Sequence, residues 1–201
     1  SYFGGGVLNF NGSDPILTGC VFLSNNAISD GGGMYNDASE PRLTGCEFIE
    51  NTASDEGGAI FNADPSSSAN IPVFEECLFR GNRASAEGGA MHNFSVSPTI
   101  TNCEFSENVA TEGGAIHSWN GSTPAIGSST ICDNTPDQIS GPFSDQGSNS
   151  ISDTCDVACP TDLDGDGTTG GGDLGLVFVE WGRCRSCPAD FNDDGMVNGI
   201  D

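Results

Sequence analysis

The chain has 201 residues, room for one medium domain and a small one. Its 29 acidic side chains outnumber five arginines, with no lysine, and the formal net charge is −24. Such a polyanion disfavours nucleic acid and anionic lipid as partners and favours cations. No apolar run approaches the ~20 residues of a membrane span, and nine cysteines point to an extracellular rather than cytosolic setting.

Twenty-nine glycines would suggest disorder if they lacked a period, but here they recur in register. Five related phrases begin at Gly4, Gly31, Gly57, Gly88 and Gly113, spaced 27, 26, 31 and 25 residues apart. They read Gly4-Gly5-Gly6-Val7-Leu8-Asn9, Gly31-Gly32-Gly33-Met34-Tyr35-Asn36, Gly57-Gly58-Ala59-Ile60-Phe61-Asn62, Gly88-Gly89-Ala90-Met91-His92-Asn93 and Gly113-Gly114-Ala115-Ile116-His117-Ser118. A fixed period of this length marks a stacked repeat, in which one unit cannot bury its apolar face alone.

Each phrase is followed by a second short run, as in Pro15-Ile16-Leu17-Thr18 and Pro41-Arg42-Leu43-Thr44. A third run follows, led by Cys20, Cys46, Cys77 or Cys103, with Phe two positions on and Asn five positions on. No helical period appears before residue 170. Three brief strands per unit, stacked in parallel, predict an all-β chain folded as a right-handed parallel β-helix, with repeats and a C-terminal cap over 1–154. The chain opens inside a repeat phrase and stops inside a motif, so it reads as a piece of a longer protein.

Strand alternation assigns faces. The Cys and Phe columns point inward, with Val21, Glu47, Leu78 and Glu104 between them outward. Val7, Met34, Ile60, Met91 and Ile116 belong inside. The recurring Asn residues form ladders in turns, each amide bonding its copy one coil away. The column cysteines are expected as free, buried thiols rather than disulfides, and Cys132, offset by three positions, marks a degenerate last coil.

The combination Cys-x-Phe-x-x-Asn with a following Gly-Gly-Ala-Ile, over residues 4 to about 135, resembles the repeats of chlamydial polymorphic outer-membrane proteins and related bacterial β-helix surface proteins. The resemblance implies a passenger-like β-helix of the adhesin type.

Two outward columns carry candidate chemistry. Asp30, Glu56, Glu87 and Glu112 precede the glycine pairs, and stacked like charges must either splay into water or bracket cations. Leu8, Tyr35, Phe61, His92 and His117, with Trp119 close by, form an aromatic stripe that can stack on a glycan, receive a protein, or lie under a loop. His92 and His117 could share a metal, but no third ligand is evident. Catalytic residues of the polygalacturonase-like or pectate-lyase-like kinds are absent, and no Ser-His-Asp constellation is apparent. A close acid–base cluster on one outward face would favour a polysaccharide lyase or hydrolase; a smooth, acidic, aromatic face would favour binding.

Over 155–201 a second duplication replaces the first. Cys159-Pro160-Thr161-Asp162-Leu163-Asp164-Gly165-Asp166-Gly167 is echoed 28 residues later by Cys187-Pro188-Ala189-Asp190-Phe191-Asn192-Asp193-Asp194-Gly195. Alternating oxygen ligands, a sixth-position glycine and a twelfth-position carboxylate follow the calcium-loop pattern, and Asp173 to Gly182 is expected to supply a helix. Tandem loops of this kind resemble type I dockerin modules, and the Cys-Pro and Trp-Gly flanks resemble the dockerin-like tails of planctomycete surface proteins. By that resemblance Ca2+ would be held by Asp162, Asp164, Asp166, the Thr168 carbonyl and Asp173. The second loop would use Asp190, Asn192, Asp194, the Met196 carbonyl and Asp201. A cohesin-like or cell-envelope protein would be the partner. Cys155, Cys159, Cys184 and Cys187 are expected to staple this small module by disulfides, with a zinc site as the alternative. Together these features predict a secreted or cell-surface binding protein docked through a calcium-dependent tail.

Overall fold

The computed structural model describes residues 1–64 and 70–155, together with two short backbone strands, Gly182–Arg183 and Met196–Val197, which pair antiparallel. Ser1–Cys155 forms one compact unit and Asp156–Asp201 a second.

The first unit is a parallel β-helix, as the repeat predicts. One six-stranded sheet stacks Val7–Phe10, Met34–Asp37, Ile60–Ala63, Met91–Phe94, Ile116–Trp119 and Ile139–Ser140. A second stacks Ile16–Thr18, Arg42–Thr44, Val73–Glu75, Thr99–Thr101, Ala125–Gly127 and Ser144–Asp145. The third holds Val21–Leu23, Glu47–Ile49, Leu78–Arg80, Glu104–Ser106, Thr130–Cys132 and Ser150–Ser152. A fourth ladder, Asn26–Ala27, Thr52–Ala53 and Arg83–Ala84, is additional to the three runs that the sequence announces. Only its buried alanines face the core, so it carries almost no apolar signal. No helix occurs among the described residues. The segment after Pro136 adds one brief strand to each main sheet, making an abbreviated last coil.

The inward columns fill the core. Met34, Ile60, Met91 and Ile116 from the first sheet meet Leu43, Phe74, Ile100 and Ile126 from the second, all fully buried. Phe22, Phe48, Phe79 and Phe105 stack from coil to coil with centroids 4.4, 5.1 and 4.5 Å apart. Each such side chain contributes roughly 1.5–3 kcal/mol by leaving water. Cys20, Cys46, Cys77 and Cys103 are free thiols, as expected; burial pushes the Cys46 thiol up.

Two turn devices close each coil. The residue before each ladder Asn lies in the left-handed region, as Glu50 (φ 53°) and Glu107 (φ 59°) do, and bends the chain sharply. The following Asn then satisfies the bend. Asn82 Oδ1 accepts from both the backbone N and Nδ2 of Asn51, at 2.9 and 3.0 Å. Asn82 Nδ2 donates to Phe48 O and to Asn108 Oδ1, each at 2.9 Å. The same pattern runs from Asn25 to Asn134, where Gln138 Oε1 ends it. A second amide ladder, Asn9 to Asn36 to Asn62 to Asn93, lies inside the first sheet.

The glycine pair has two separate causes. Gly57 adopts φ +64°, whereas a Cβ on Gly58 would lie 2.1 Å from the Gly89 carbonyl oxygen. The first glycine turns the chain; the second lets neighbouring coils touch.

Cys132 and Cys155 form a disulfide. This corrects the grouping of Cys155 with the tail cysteines: it fastens the end of the last coil to the coil before it. Pairing of Cys159, Cys184 and Cys187 lies outside the described residues.

Candidate functional site

The first sheet sets the site. Its parallel register aligns Leu8, Tyr35, Phe61, His92 and His117 on one outward line. Alternation then places Asp37, Ala63, Phe94 and Trp119 two residues further along the same face. The left-handed glycine before each strand swings Glu56, Glu87 and Glu112 alongside. All of these side chains except Leu8 line a cavity of about 720 Å³.

The stripe, which the sequence leaves open as exposed or covered, is buried over its last three positions. Leu8 is exposed, but Phe61, His92 and His117 are 8, 1 and 4 % exposed. The rings stack on one another, Tyr35 on Phe61 at 5.0 Å and Phe61 on His92 at 5.3 Å. Their faces are therefore spent on each other, and Trp119, 61 % exposed, is the ring that offers an open surface to a ligand.

The acidic row divides: Glu56 and Glu87 fold onto the imidazoles, whereas Glu112 stays largely in water beside one of them. Glu56 Oε2 lies 3.5 Å from His92 Nε2, and Glu87 Oε2 lies 3.6 Å from His92 Nδ1 and 3.1 Å from His117 Nδ1. Glu112 Oε2 stands 3.9 Å from His117 Nε2. The two Nδ1 atoms are 3.3 Å apart. Carboxylate and imidazole thus alternate across three coils. Asp30, the first member of the row, instead accepts from the Ser29 hydroxyl and the Glu56 backbone.

Burial governs the electrostatics. It pushes the Glu56 carboxyl up to about 7, with Asp30, Glu87 and Asp55 adding repulsion. It also drives His92 down to about 3, with His117 contributing, so His92 is a neutral imidazole at neutral pH. Tyr35 is raised to about 12 by burial and then by Asp37, Asp30 and Glu56. Among the described residues, three buried side-chain atoms lack a hydrogen-bond partner: His92 Nε2, Asn93 Nδ2 and Ser118 Oγ. All three belong to the two coils that carry the histidines.

Glu87 is the group that sequence reasoning left out of the histidine pair. The signal was present in Glu87-Gly88-Gly89-Ala90-Met91-His92, because a left-handed glycine returns the preceding side chain toward the strand it introduces. The expected calcium ligands Asp162, Asp164, Asp166, Thr168, Asp173, Asp190, Asn192, Asp194 and Asp201 lie outside the described residues; Met196, expected to offer its carbonyl, lies in the short strand Met196–Val197. The helix expected from Asp173 lies outside them too, except for Gly182 at its end, which is in a strand. Among the described residues no helix is long and apolar enough to cross a membrane.

No curated protein and no solved structure matches this chain. A family described as "Right handed beta helix region" matches residues 1–135, which include the five glycine phrases and the first five strands of each main sheet. By that match and its coil-by-coil parallel pairing, the chain belongs to the right-handed β-helix family.

Proposed function

We propose that the first-sheet cavity is a binding groove for an uncharged or amino-bearing saccharide chain, displayed by a secreted or cell-surface protein. The observation that carries this reading is the concave line of Glu56, Glu87 and Glu112 beside the exposed Trp119. Carboxylates repeated at strand spacing, roughly 4.8 Å, offer a row of acceptors for hydroxyl or ammonium groups. Trp119 supplies an apolar face for a sugar ring. Uronates are disfavoured, because Asp37 adds a fourth carboxylate and the cavity lining has no arginine or lysine. A dockerin-like tail holding Ca2+ would dock the helix to a cohesin-like or cell-envelope partner.

Glycan-array screening followed by calorimetry tests the groove. Binding of neutral or amino sugars that weakens at least tenfold in Trp119→Ala and Glu87→Gln supports it; binding untouched by both substitutions refutes it. Calcium titration of the tail tests the docking half, and no uptake would remove it.

A second reading has its own support. Five acid–base groups linked at 3.1–3.9 Å meet the criterion set for a polysaccharide-cleaving enzyme. Release of new reducing ends from a bound glycan, lost in Glu56→Gln, would move the function from binding to cleavage.

A further inference from the structure

We infer that Glu87, His92 and His117 form a binding site for a divalent transition-metal ion, with zinc as the fitting probe. The three ligand atoms are Glu87 Oε2, His92 Nδ1 and His117 Nδ1, separated by 3.1, 3.3 and 3.6 Å. Tetrahedral zinc, with bonds of about 2.0–2.2 Å to nitrogen and oxygen, holds its ligand atoms about 3.2–3.6 Å apart. The triangle already has the size that an ion at its centre requires.

Two further observations point the same way. Two Nδ1 atoms 3.3 Å apart satisfy each other only if one carries a proton and the other a lone pair, whereas an ion accepts both lone pairs at once. The other nitrogen of each ring faces a carboxylate, Glu56 beside His92 Nε2 and Glu112 beside His117 Nε2. That pairing is the outer support metal-bound histidines ordinarily have.

Two imidazoles and one carboxylate select a transition ion over calcium, which prefers oxygen. Three protein ligands leave a fourth position for water or a ligand oxygen from the cavity. The site does not depend on the groove taking a saccharide, since metal uptake and glycan binding are measured separately.

The test uses the full chain, stripped of metal and with accessible thiols alkylated so that cysteines of the tail cannot compete. Calorimetric titration with zinc is expected to show one equivalent bound that excess calcium does not displace. His92→Phe/His117→Phe is expected to lose that equivalent while keeping the wild-type circular dichroism and urea midpoint. Glu112→Gln should weaken it on the order of 10–100-fold. Cobalt in the same position should give d–d absorption without a thiolate charge-transfer band. Zinc uptake undiminished in the double variant, or no uptake by the wild type, overturns the site.

Discussion

The asparagine column inside the turns and the ring column outside the first sheet are built by the same stacking, yet they behave in opposite ways. From Asn25 to Asn134 one residue type repeats, and each central copy finds all its partners in the adjacent coils. From Leu8 to His117 the residue changes at almost every coil, and the chemistry gathers where the two histidines meet. Identity in a column makes scaffold, because each member answers the next. Variation in a column makes a site, because the members no longer satisfy one another and other side chains are drawn in.

The largest effect should come from interrupting the inner column. Asn82→Ala leaves the Asn51 backbone N without its acceptor, leaves Asn51 Nδ2 with Phe22 O alone, and removes a donor from Phe48 O and Asn108 Oδ1. With roughly 1–3 kcal/mol for each stranded buried group, urea denaturation should show a loss of about 3–5 kcal/mol. A loss below 1 kcal/mol would mean that the ladder is not what holds the coils in register.

Next in size is Cys132→Ala/Cys155→Ala. The bond closes a separation of 23 residues, and releasing it should cost roughly 3 kcal/mol by loop-closure entropy. Proteolysis should then open the last coil before the central ones.

On the outer column, Tyr35 gives a pH-dependent signature. Its folded pKa of about 12 exceeds the ordinary value of 10.0, so the folded state holds the phenol proton more tightly. Its contribution to stability is complete below pH 10 and declines as pH rises from there toward 12. Absorbance titration should place this ionisation near 12; a normal value would show that the ring lies open to water.

The smallest effect belongs to the histidines themselves. His92→Phe/His117→Phe continues the ring stack and removes a buried unpartnered nitrogen, so stability should stay within about 1 kcal/mol of wild type. A loss above 3 kcal/mol would make the outer column as structural as the inner one.

How far the sequence could be read follows the same division. The Phe, Cys and Asn columns were legible because they repeat, and a repeated residue marks a repeated environment. The fourth ladder was hidden because it is two residues long and buries only Ala27, Ala53 and Ala84. The disulfide was hidden because Cys155 meets Cys132 only after the last coil has returned to the third sheet. The site was half legible. Its rings and carboxylates were visible as two rows, but their union depends on the bend at Gly88, and the stacking that covers the rings depends on neighbours one coil away.

Both amide ladders run the same way, each rung an Nδ2 donating to the amide oxygen of the coil that follows in sequence. The natural unit of length change is therefore one whole coil, cut between equivalent asparagines. Adding or removing such a unit leaves each remaining amide facing another amide, and the junction inherits the old register. The 31 residues from Asn51 to Asn82, against 26 from Asn82 to Asn108, show that extra chain is carried between strands without disturbing the rungs. A molecule with this grammar can be lengthened or shortened like a ruler, with the histidine coils kept as its fixed mark.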